Sequence, residues 1–213
     1  MSIIIDFHTH RPDVVDALIS VDPRQFDVRP GLWYSVGYHP WDSVSSLTDD
    51  DYALLERCAS HRQVLAIGET GMDRLRGGDL ESQATAFARH LQLAHRLDKP
   101  VVVHCVRAAQ DILAVRHRLG LDDVTLAIHG MRSNRHVART LLDAGCYLSF
   151  GEHFNEEALL ATPLDRLLVE TDESPTNIYD IIAEVARCKG LSSLQIIEQV
   201  NANTRRLLHL DRD

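Results

Sequence analysis

Ionisable side chains recur directly after short apolar runs in this sequence. The first run ends in His8 and His10, which are separated by one residue. Because successive side chains of a strand alternate between its two faces, both imidazoles would lie on the same side and reach one metal ion. An HxH pair taken alone is equally compatible with two solvated histidines. The rest of the chain therefore has to decide between these readings.

Four more ionisable residues stand at the end of an apolar run: Glu69, His104, His129 and Asp172. Each of them taken singly is compatible with a buried group that hydrogen-bonds to the backbone. Six residues with one common placement favour a single shared cause. Histidine, glutamate and aspartate are the ligands of a divalent metal site with mixed nitrogen and oxygen donors. The sequence therefore predicts a metal centre.

The other histidines differ in their surroundings. Six lie within or beside helical patterns among polar neighbours, which predicts surface positions: His61, His90, His95, His117, His136 and His209. His39 and His153 follow apolar runs and are expected to line the mouth of the site without binding metal.

The elements that must position these residues are strands alternating with helices. The apolar runs predict eight strands, over residues 3–7, 17–21, 32–37, 64–68, 100–103, 124–128, 146–150 and 167–169. Runs that are apolar at every position indicate strands buried on both faces of a parallel sheet. Helical patterns follow over residues 48–60, 79–98, 107–119, 132–144, 178–189 and 192–208.

Eight such units predict an α/β fold of the TIM (β/α)8 barrel class. The chain has 213 residues, which is short for this fold, so the barrel would be compact, with its first helices shortened or missing. Strand ends that are distant in sequence converge on one mouth of a barrel. The six candidate ligands are therefore expected to meet there.

Composition excludes several other classes of protein. With 45% hydrophobic and 25% charged residues the chain resembles an ordinary globular domain, expected as one domain over residues 1–213. The formal net charge of −9 argues against a sequence-independent DNA binder with a broad positive surface. Four cysteines without a CxxC motif suggest neither a thiolate zinc site nor a disulfide framework. Without a leader or an apolar membrane span, the expected location is the cytoplasm.

The motifs, taken in order, resemble those of the TatD family of metal-dependent deoxyribonucleases, barrel hydrolases related to the amidohydrolases. DFHTH at residues 6–10 is similar to the family's DxHxH, and VGYHP at 36–40 to its GxHP. GETGMD at 68–73 is similar to GEIGLD, PVVVH at 100–104 to the family's fifth-strand histidine motif, and VETDESP at 169–175 to LETDxP. The resemblance extends over nearly the whole chain.

The resemblance implies a two-metal centre. By it, one divalent ion is held by His8, His10, Glu69 and Asp172, and Glu69 bridges to a second ion held by His104 and His129. Asp172 and Glu69 are the implied catalytic residues. The ions would be zinc, manganese or magnesium. Many related amidohydrolases bridge their ions with a carboxylated lysine, but Lys99 and Lys189 are the only lysines and neither is placed to do so.

The departures from the family pattern concern the walls of the site. Arg107 stands one position later than the family's arginine after the histidine, and Trp41 stands where the family often has histidine. HGMRS at residues 129–133 replaces HCFSG. Candidate substrate contacts are His39, Asp73, Arg107 and Arg132, of which His39 and Asp73 would alternatively orient ligands. The aromatic group of Trp33, Tyr34, Tyr38 and Trp41 either stacks bases or packs.

The leading functional hypothesis is a deoxyribonuclease that hydrolyses phosphodiesters, exonucleolytically, with a hydroxide activated by two metal ions. The alternative is amidohydrolase-type hydrolysis of a C–N, ester or lactone bond at the same site, because a barrel does not dictate chemistry. A third hypothesis is a metal-binding protein without turnover. The expected partner is DNA or another phosphodiester as substrate, with no membrane and no obligate protein partner.

Overall fold

The computed structural model describes residues 3–42 and 44–211. Its strands are parallel and follow one another in chain order around a closed barrel, which confirms the predicted TIM barrel. The strands are β1 (Asp6–Thr9), β2 (Ala17–Val21), β3 (Trp33–Val36), β4 (Val64–Asp73), β5 (Val101–Val106), β6 (Leu126–Ile128), β7 (Tyr147–Phe150) and β8 (Leu167–Val169).

The helices are α1 (Asp49–Ala59), α2 (Leu80–Leu97), α3 (Ala109–Arg118), α4 (Arg135–Asp143), α5 (Glu156–Ala161), α6 (Ile178–Lys189) and α7 (Ser193–Leu207). The first two helices of the barrel pattern are missing, as expected. Turns alone join β1 to β2, and a 3-10 helix at Pro23–Gln25 lies between β2 and β3. The six-residue α5 has no counterpart in the sequence prediction.

Two strands differ from their predicted bounds in ways that matter for the site. β1 begins at Asp6, where pairing with Ala17 and Val169 starts, and therefore includes His8. β4 continues five residues beyond its predicted end, to Asp73. Glu69 thus lies inside a strand, and its backbone N–H donates to the Ser20 hydroxyl at 3.3 Å.

The chain divides into two compact units. The terminal unit comprises the chain up to Ile19 and from Ala127 onward, and the central unit comprises Ser20–Leu126. The division falls within β2 and at the start of β6. The expectation of one domain over residues 1–213 stays a prediction.

In the central unit, glycine allows β4 to approach β5 closely. Gly71 faces His104 in the strand register, and a Cβ on Gly71 would lie 2.0 Å from the His104 carbonyl oxygen. Gly71 also has φ +148, which side chains rarely adopt. A strand glycine of this kind marks a close approach of two backbones. It brings the strand that carries Glu69 directly alongside His104.

Helix α2 covers this part of the central unit with an apolar stripe. It begins after Asp79, whose side chain accepts a hydrogen bond from the Ser82 N–H. Phe87, Leu91 and Ala94 are fully buried, as the helical spacing predicts. Burial of one face over roughly two turns holds the helix against β4.

The surface position predicted for His90 is wrong, because this residue of α2 is fully buried. Its Nε2 accepts a hydrogen bond of 3.0 Å from the Tyr38 N–H, and its Nδ1 lies 2.7 Å from the Ala86 carbonyl oxygen. The imidazole therefore satisfies a backbone N–H immediately before His39 that would otherwise be buried without a partner. His90 fixes the segment after β3.

In the terminal unit, β1 pairs with β8, and β7 pairs with β6 and with β8. The helices begin at side-chain caps: Asn134, Asn155, Asn177 and Ser192 accept hydrogen bonds from the first turns of α4 to α7. Leu168, Ile182 and Val200 are among its fully buried side chains. None of the helices in the described part of the chain has the length and apolar character to span a membrane.

The burial of His90 predicts a pH dependence of stability. Burial lowers the pKa of His90 from 6.5 to about 4. As the pH falls below 6.5, the unfolded chain takes up a proton here that the folded protein does not, so stability decreases down to about pH 4. Between pH 6.5 and 4.5 this side chain should account for roughly 2–3 kcal/mol.

Urea unfolding at pH 7 and pH 4.5 measures this contribution. We expect the loss of stability on acidification to be smaller by that amount in His90→Gln than in the wild type. The matched control is His117→Gln, in an exposed part of α3, which should behave like the wild type. An undiminished loss in His90→Gln would contradict the assignment.

Candidate metal centre

In the terminal unit, His8 and His10 lie on the same side of β1, as the alternation of strand residues predicts. The Nε2 atoms of both imidazoles are 3.7 Å from Asp172 Oδ1. Backbone hydrogen bonds hold this group together, from the Asp172 N–H to the His8 carbonyl at 2.9 Å and from the His10 N–H to the Asp172 carbonyl at 3.3 Å. Three predicted ligands thus converge.

Asp172 adopts the left-handed backbone conformation, with φ 54. This conformation is costly for a residue other than glycine and is found where surrounding contacts impose it. Here the contacts come from the neighbouring Thr171. Its N–H and hydroxyl donate to the buried Asp6 carboxylate at 2.9 Å and 2.6 Å. Burial raises the pKa of Asp6 to about 6, although the Thr171 hydrogen bonds oppose this.

His129 follows β6 and lies beside His8, with ring centroids 4.3 Å apart. Its Nδ1 is 3.4 Å from Oε1 of Glu170, which is fully buried and also accepts a hydrogen bond of 2.6 Å from the Gly130 N–H. Burial acts to raise the pKa of Glu170, but the hydrogen bond and charge of His129 outweigh it, so the pKa is lowered. A proton on His129 Nδ1, directed at the ionised Glu170, would leave Nε2 as the ligand atom for a metal ion.

In the central unit, Glu69, His104 and His39 form a compact triangle. Glu69 Oε1 is 2.9 Å from His104 Nδ1 and 2.9 Å from His39 Nε2, and the two nitrogens are 3.2 Å apart. Glu69 and His104 are buried. The two predicted ligands from β4 and β5 are therefore adjacent.

Asp73, the last residue of β4, orients His104. Its Oδ2 lies 3.2 Å from His104 Nε2 and accepts a 2.6 Å hydrogen bond from the Trp41 indole N–H. Burial alone would raise the pKa of Asp73, but hydrogen bonds from Trp41, the Leu75 N–H and His104 lower it. The Asp73 carboxylate can accept a hydrogen bond from a proton on His104 Nε2. With the proton there, Nδ1 beside Glu69 would be the ligand atom for a metal ion, which is the arrangement of metal-bound histidines.

In His39 the ring nitrogen that faces Glu69 is the one that carries the proton. His39 Nδ1 accepts a 3.1 Å hydrogen bond from the Trp41 N–H, so the neutral ring carries its proton on Nε2, the nitrogen that lies beside Glu69. A nitrogen that carries a proton donates a hydrogen bond and does not bind metal. The tautomer therefore favours the predicted role of His39 as a contact to substrate.

The two predicted arginine contacts lie outside these clusters. Arg107 is exposed directly after β5 and has φ 53. Arg132 is exposed before α4. The pKa of Glu152 is lowered mainly by hydrogen bonds from Ser174 and Thr176, and the charge of Arg132 contributes less. A role for either arginine in binding substrate stays a prediction.

Asp6, Glu170 and the contact of Trp41 with Asp73 were missed by the sequence analysis. A carboxylate within or directly after an apolar strand was a usable signal for Asp6 and Glu170. Lys99 and Lys189 lie outside both clusters. Lys99 Nζ donates to the Val64 carbonyl at 2.6 Å and Lys189 Nζ to the Thr162 carbonyl at 2.5 Å.

The residues of both clusters fit divalent ions. Donor atoms of His8, His10 and Asp172 lie within 4.8 Å of one another, and so do those of Glu69 and His104 in the other cluster, where His39 lies equally near as a neighbour that does not bind the ion. Bonds of about 2.0–2.2 Å separate two ligand atoms of one tetrahedral ion by roughly 3–4 Å. The nearest separations are 3.7 Å in the first set and 2.9 Å in the second. Imidazole and carboxylate donors together suit zinc or manganese.

Comparisons with known proteins place the sequence among metal-dependent hydrolases. The sequence model of the family described as "TatD related DNase" matches residues 26–209. The uncharacterized metal-dependent hydrolase YcfH of Escherichia coli K12 is 30% identical over 204 residues, covering 86% of this chain and 76% of its own. The 3'-5' ssDNA/RNA exonuclease TatD of Klebsiella pneumoniae is 30% identical over 211 residues, covering 85% and 78%.

The fold has counterparts among solved structures. YjjV, a TatD homologue from Escherichia coli, superposes with a TM-score of 0.81 at 21% identity, covering 96% of this chain and 97% of that one. This likeness concerns the fold, whereas the family match rests on sequence. From both, the chain belongs to the TatD-related DNase family of metal-dependent hydrolases.

Proposed function

We propose that this protein is a metal-dependent deoxyribonuclease that hydrolyses phosphodiester bonds, exonucleolytically, with a hydroxide activated by a two-metal centre. The observation that carries the proposal is the pair of Glu69 and His104 in the central unit, with Glu69 Oε1 2.9 Å from His104 Nδ1 and Asp73 Oδ2 3.2 Å from His104 Nε2. The exonuclease name of the Klebsiella pneumoniae relative supports a nucleic acid as substrate.

Divalent ions bound at such sites lower the pKa of water and polarise a phosphoryl oxygen. Asp172 is our candidate for the base, because its carboxylate is partly exposed beside His8 and His10 and can accept a proton from the attacking water. His39, whose Nε2 lies 2.9 Å from Glu69 Oε1, is our candidate for a substrate contact beside the Glu69–His104 pair. Asp73 contributes by holding His104 and stays out of contact with substrate.

Replacement of Glu69 by glutamine tests the proposal. The amide keeps the shape of the side chain but removes the charge that faces His104. We expect degradation of end-labelled single-stranded DNA with added magnesium or manganese to fall by at least roughly 100-fold, since a metal ligand supports several kcal/mol of charge stabilisation. A chelator should have the same effect on the wild type.

The matched control for this experiment is Glu81→Gln, at an exposed position of α2, which should degrade DNA like the wild type. Circular dichroism should show both variants folded. Full activity in Glu69→Gln would contradict the proposed two-metal mechanism. Intact DNA with the wild type, together with hydrolysis of an amide or lactone, would establish the alternative chemistry.

The orienting role of Asp73 gives a second prediction. Asparagine at this position replaces the ionised acceptor with a neutral amide, so the His104 ring loses the partner that fixes its tautomer. We expect metal affinity, measured by calorimetric titration, to fall by roughly 10- to 100-fold, the usual effect of removing such a partner. Asp111→Asn, which removes an exposed ion pair with Arg74, serves as the control. Unchanged affinity in Asp73→Asn would refute the role.

A further inference from the structure

The loop after β4 places Arg76 against Trp41, which belongs to the segment after β3 and lies beside the Glu69–His104 pair. The Arg76 guanidinium carbon lies 4.7 Å from the centroid of the Trp41 ring. Trp41 keeps 46% of its surface exposed, and Leu75, which precedes Arg76 in the chain, keeps 62%. Both side chains therefore offer apolar surface to a ligand. The Trp41 ring is also 5.2 Å from the His104 ring, which puts this surface next to the predicted metal ligands.

The Trp41 ring is held in a fixed position. Its indole N–H donates to Asp73 at 2.6 Å, and its backbone N–H donates to His39 at 3.1 Å. An aromatic surface that is already ordered loses little entropy when a ligand stacks on it. The ring is therefore suited to stacking.

The loop that carries Arg76 is fixed as well. The buried Gln83 side chain donates to the carbonyls of Asp73, Arg76 and Gly78 at 3.1, 3.1 and 2.9 Å. Gly77 lies so close to the Pro40 carbonyl that a Cβ would be 2.3 Å from its oxygen. The loop therefore stays against the segment that contains Trp41.

The two arginines of this loop differ in their partners. Arg74 forms a bidentate pair with Asp111, at 2.7 and 2.9 Å. Within the described residues Arg76 makes no ion pair with a carboxylate and lies on the indole instead. Its charge is thus available to an anion, whereas that of Arg74 is neutralised.

We propose that Trp41, Leu75 and Arg76 form a subsite for an unpaired nucleobase and its phosphate at the end of a single strand. The base stacks on the exposed part of the indole and against Leu75, and the Arg76 guanidinium binds the phosphate. Stacking on an aromatic side chain tolerates any base, and a paired base does not expose its faces. The subsite deepens the proposed nuclease function and rests on it.

Fluorescence of Trp41 tests the subsite directly. The chain has two tryptophans, Trp33 and Trp41, so Trp33→Phe leaves Trp41 as the only tryptophan, and excitation at wavelengths that tyrosine does not absorb selects its emission. The metal-loaded variant is titrated with a short oligothymidylate whose phosphorothioate linkages resist hydrolysis. We expect saturable quenching of Trp41, and none with an abasic oligomer of equal charge. Quenching by both oligomers alike, or by neither, would overturn the stacking role.

The two arginines supply matched variants. Arg76→Gln should weaken oligothymidylate binding by roughly 5-fold or more, since a phosphate contact and its support of stacking are lost. Arg74→Gln should bind like the wild type. Equal loss in both variants would overturn the assignment of Arg76. If Trp33→Phe does not fold, the KM of the two arginine variants in the DNA assay makes the same comparison.

The outcomes separate this proposal from the nuclease function. Quenching without metal-dependent hydrolysis would support the subsite and overturn the nuclease. Hydrolysis of single strands without quenching, and with KM unchanged in Arg76→Gln, would support the nuclease and overturn the subsite.

Discussion

A carboxylate held against the second nitrogen of a buried histidine is the interaction on which both clusters depend. Asp73 lies 3.2 Å from His104 in the central unit, and Glu170 lies 3.4 Å from His129 in the terminal unit. Burial by itself would neutralise both acids, but hydrogen-bond donors lower the pKa of each. Because these carboxylates stay ionised, each favours a proton on the histidine nitrogen that it faces, and the other nitrogen of the ring would then be the ligand atom for a metal ion.

The backbone is shaped to keep these pairs in place. The glycine at position 71 lets β4 lie against β5 at a distance that no other residue permits, so Glu69 and Asp73 flank His104. In the terminal unit, the Asp6 carboxylate accepts a hydrogen bond from the Thr171 N–H, and the adjacent Asp172 adopts a left-handed conformation. Both features cost conformational freedom or strain, and sites that bind and react are where folded proteins tolerate such costs.

Much of this arrangement was predictable from the sequence. Alternation in a strand placed His8 and His10 on one side, the apolar run before Asp172 marked the end of β8, and the run before Glu69 marked the strand that carries this residue. The hydrogen bonds from Asp73 to His104 and Trp41 were not predictable, because they depend on how far β4 extends and on the path of the segment after β3. The local pattern of apolar and polar residues determines neither the length of β4 nor the path of that segment.

His90 and α5 show two other limits. Gln83, Phe87, His90 and Ala94 recur at helical spacing and are all buried, so the stripe itself pointed to a buried His90. The surface prediction for His90 followed from its polar sequence neighbours, which lie on the opposite face of the helix. Helix α5 has only six residues, fewer than two turns, and too short a segment to establish a helical period.

The most direct test of the account is an anomalous-scattering map of crystals grown with manganese or zinc. The account predicts a peak in the central unit within about 2.0–2.2 Å of His104 Nδ1 and bonded to a Glu69 oxygen, with Asp73 still facing Nε2. A peak bonded to His104 Nε2, or no peak beside Glu69 in crystals that bind the metal elsewhere, would contradict it.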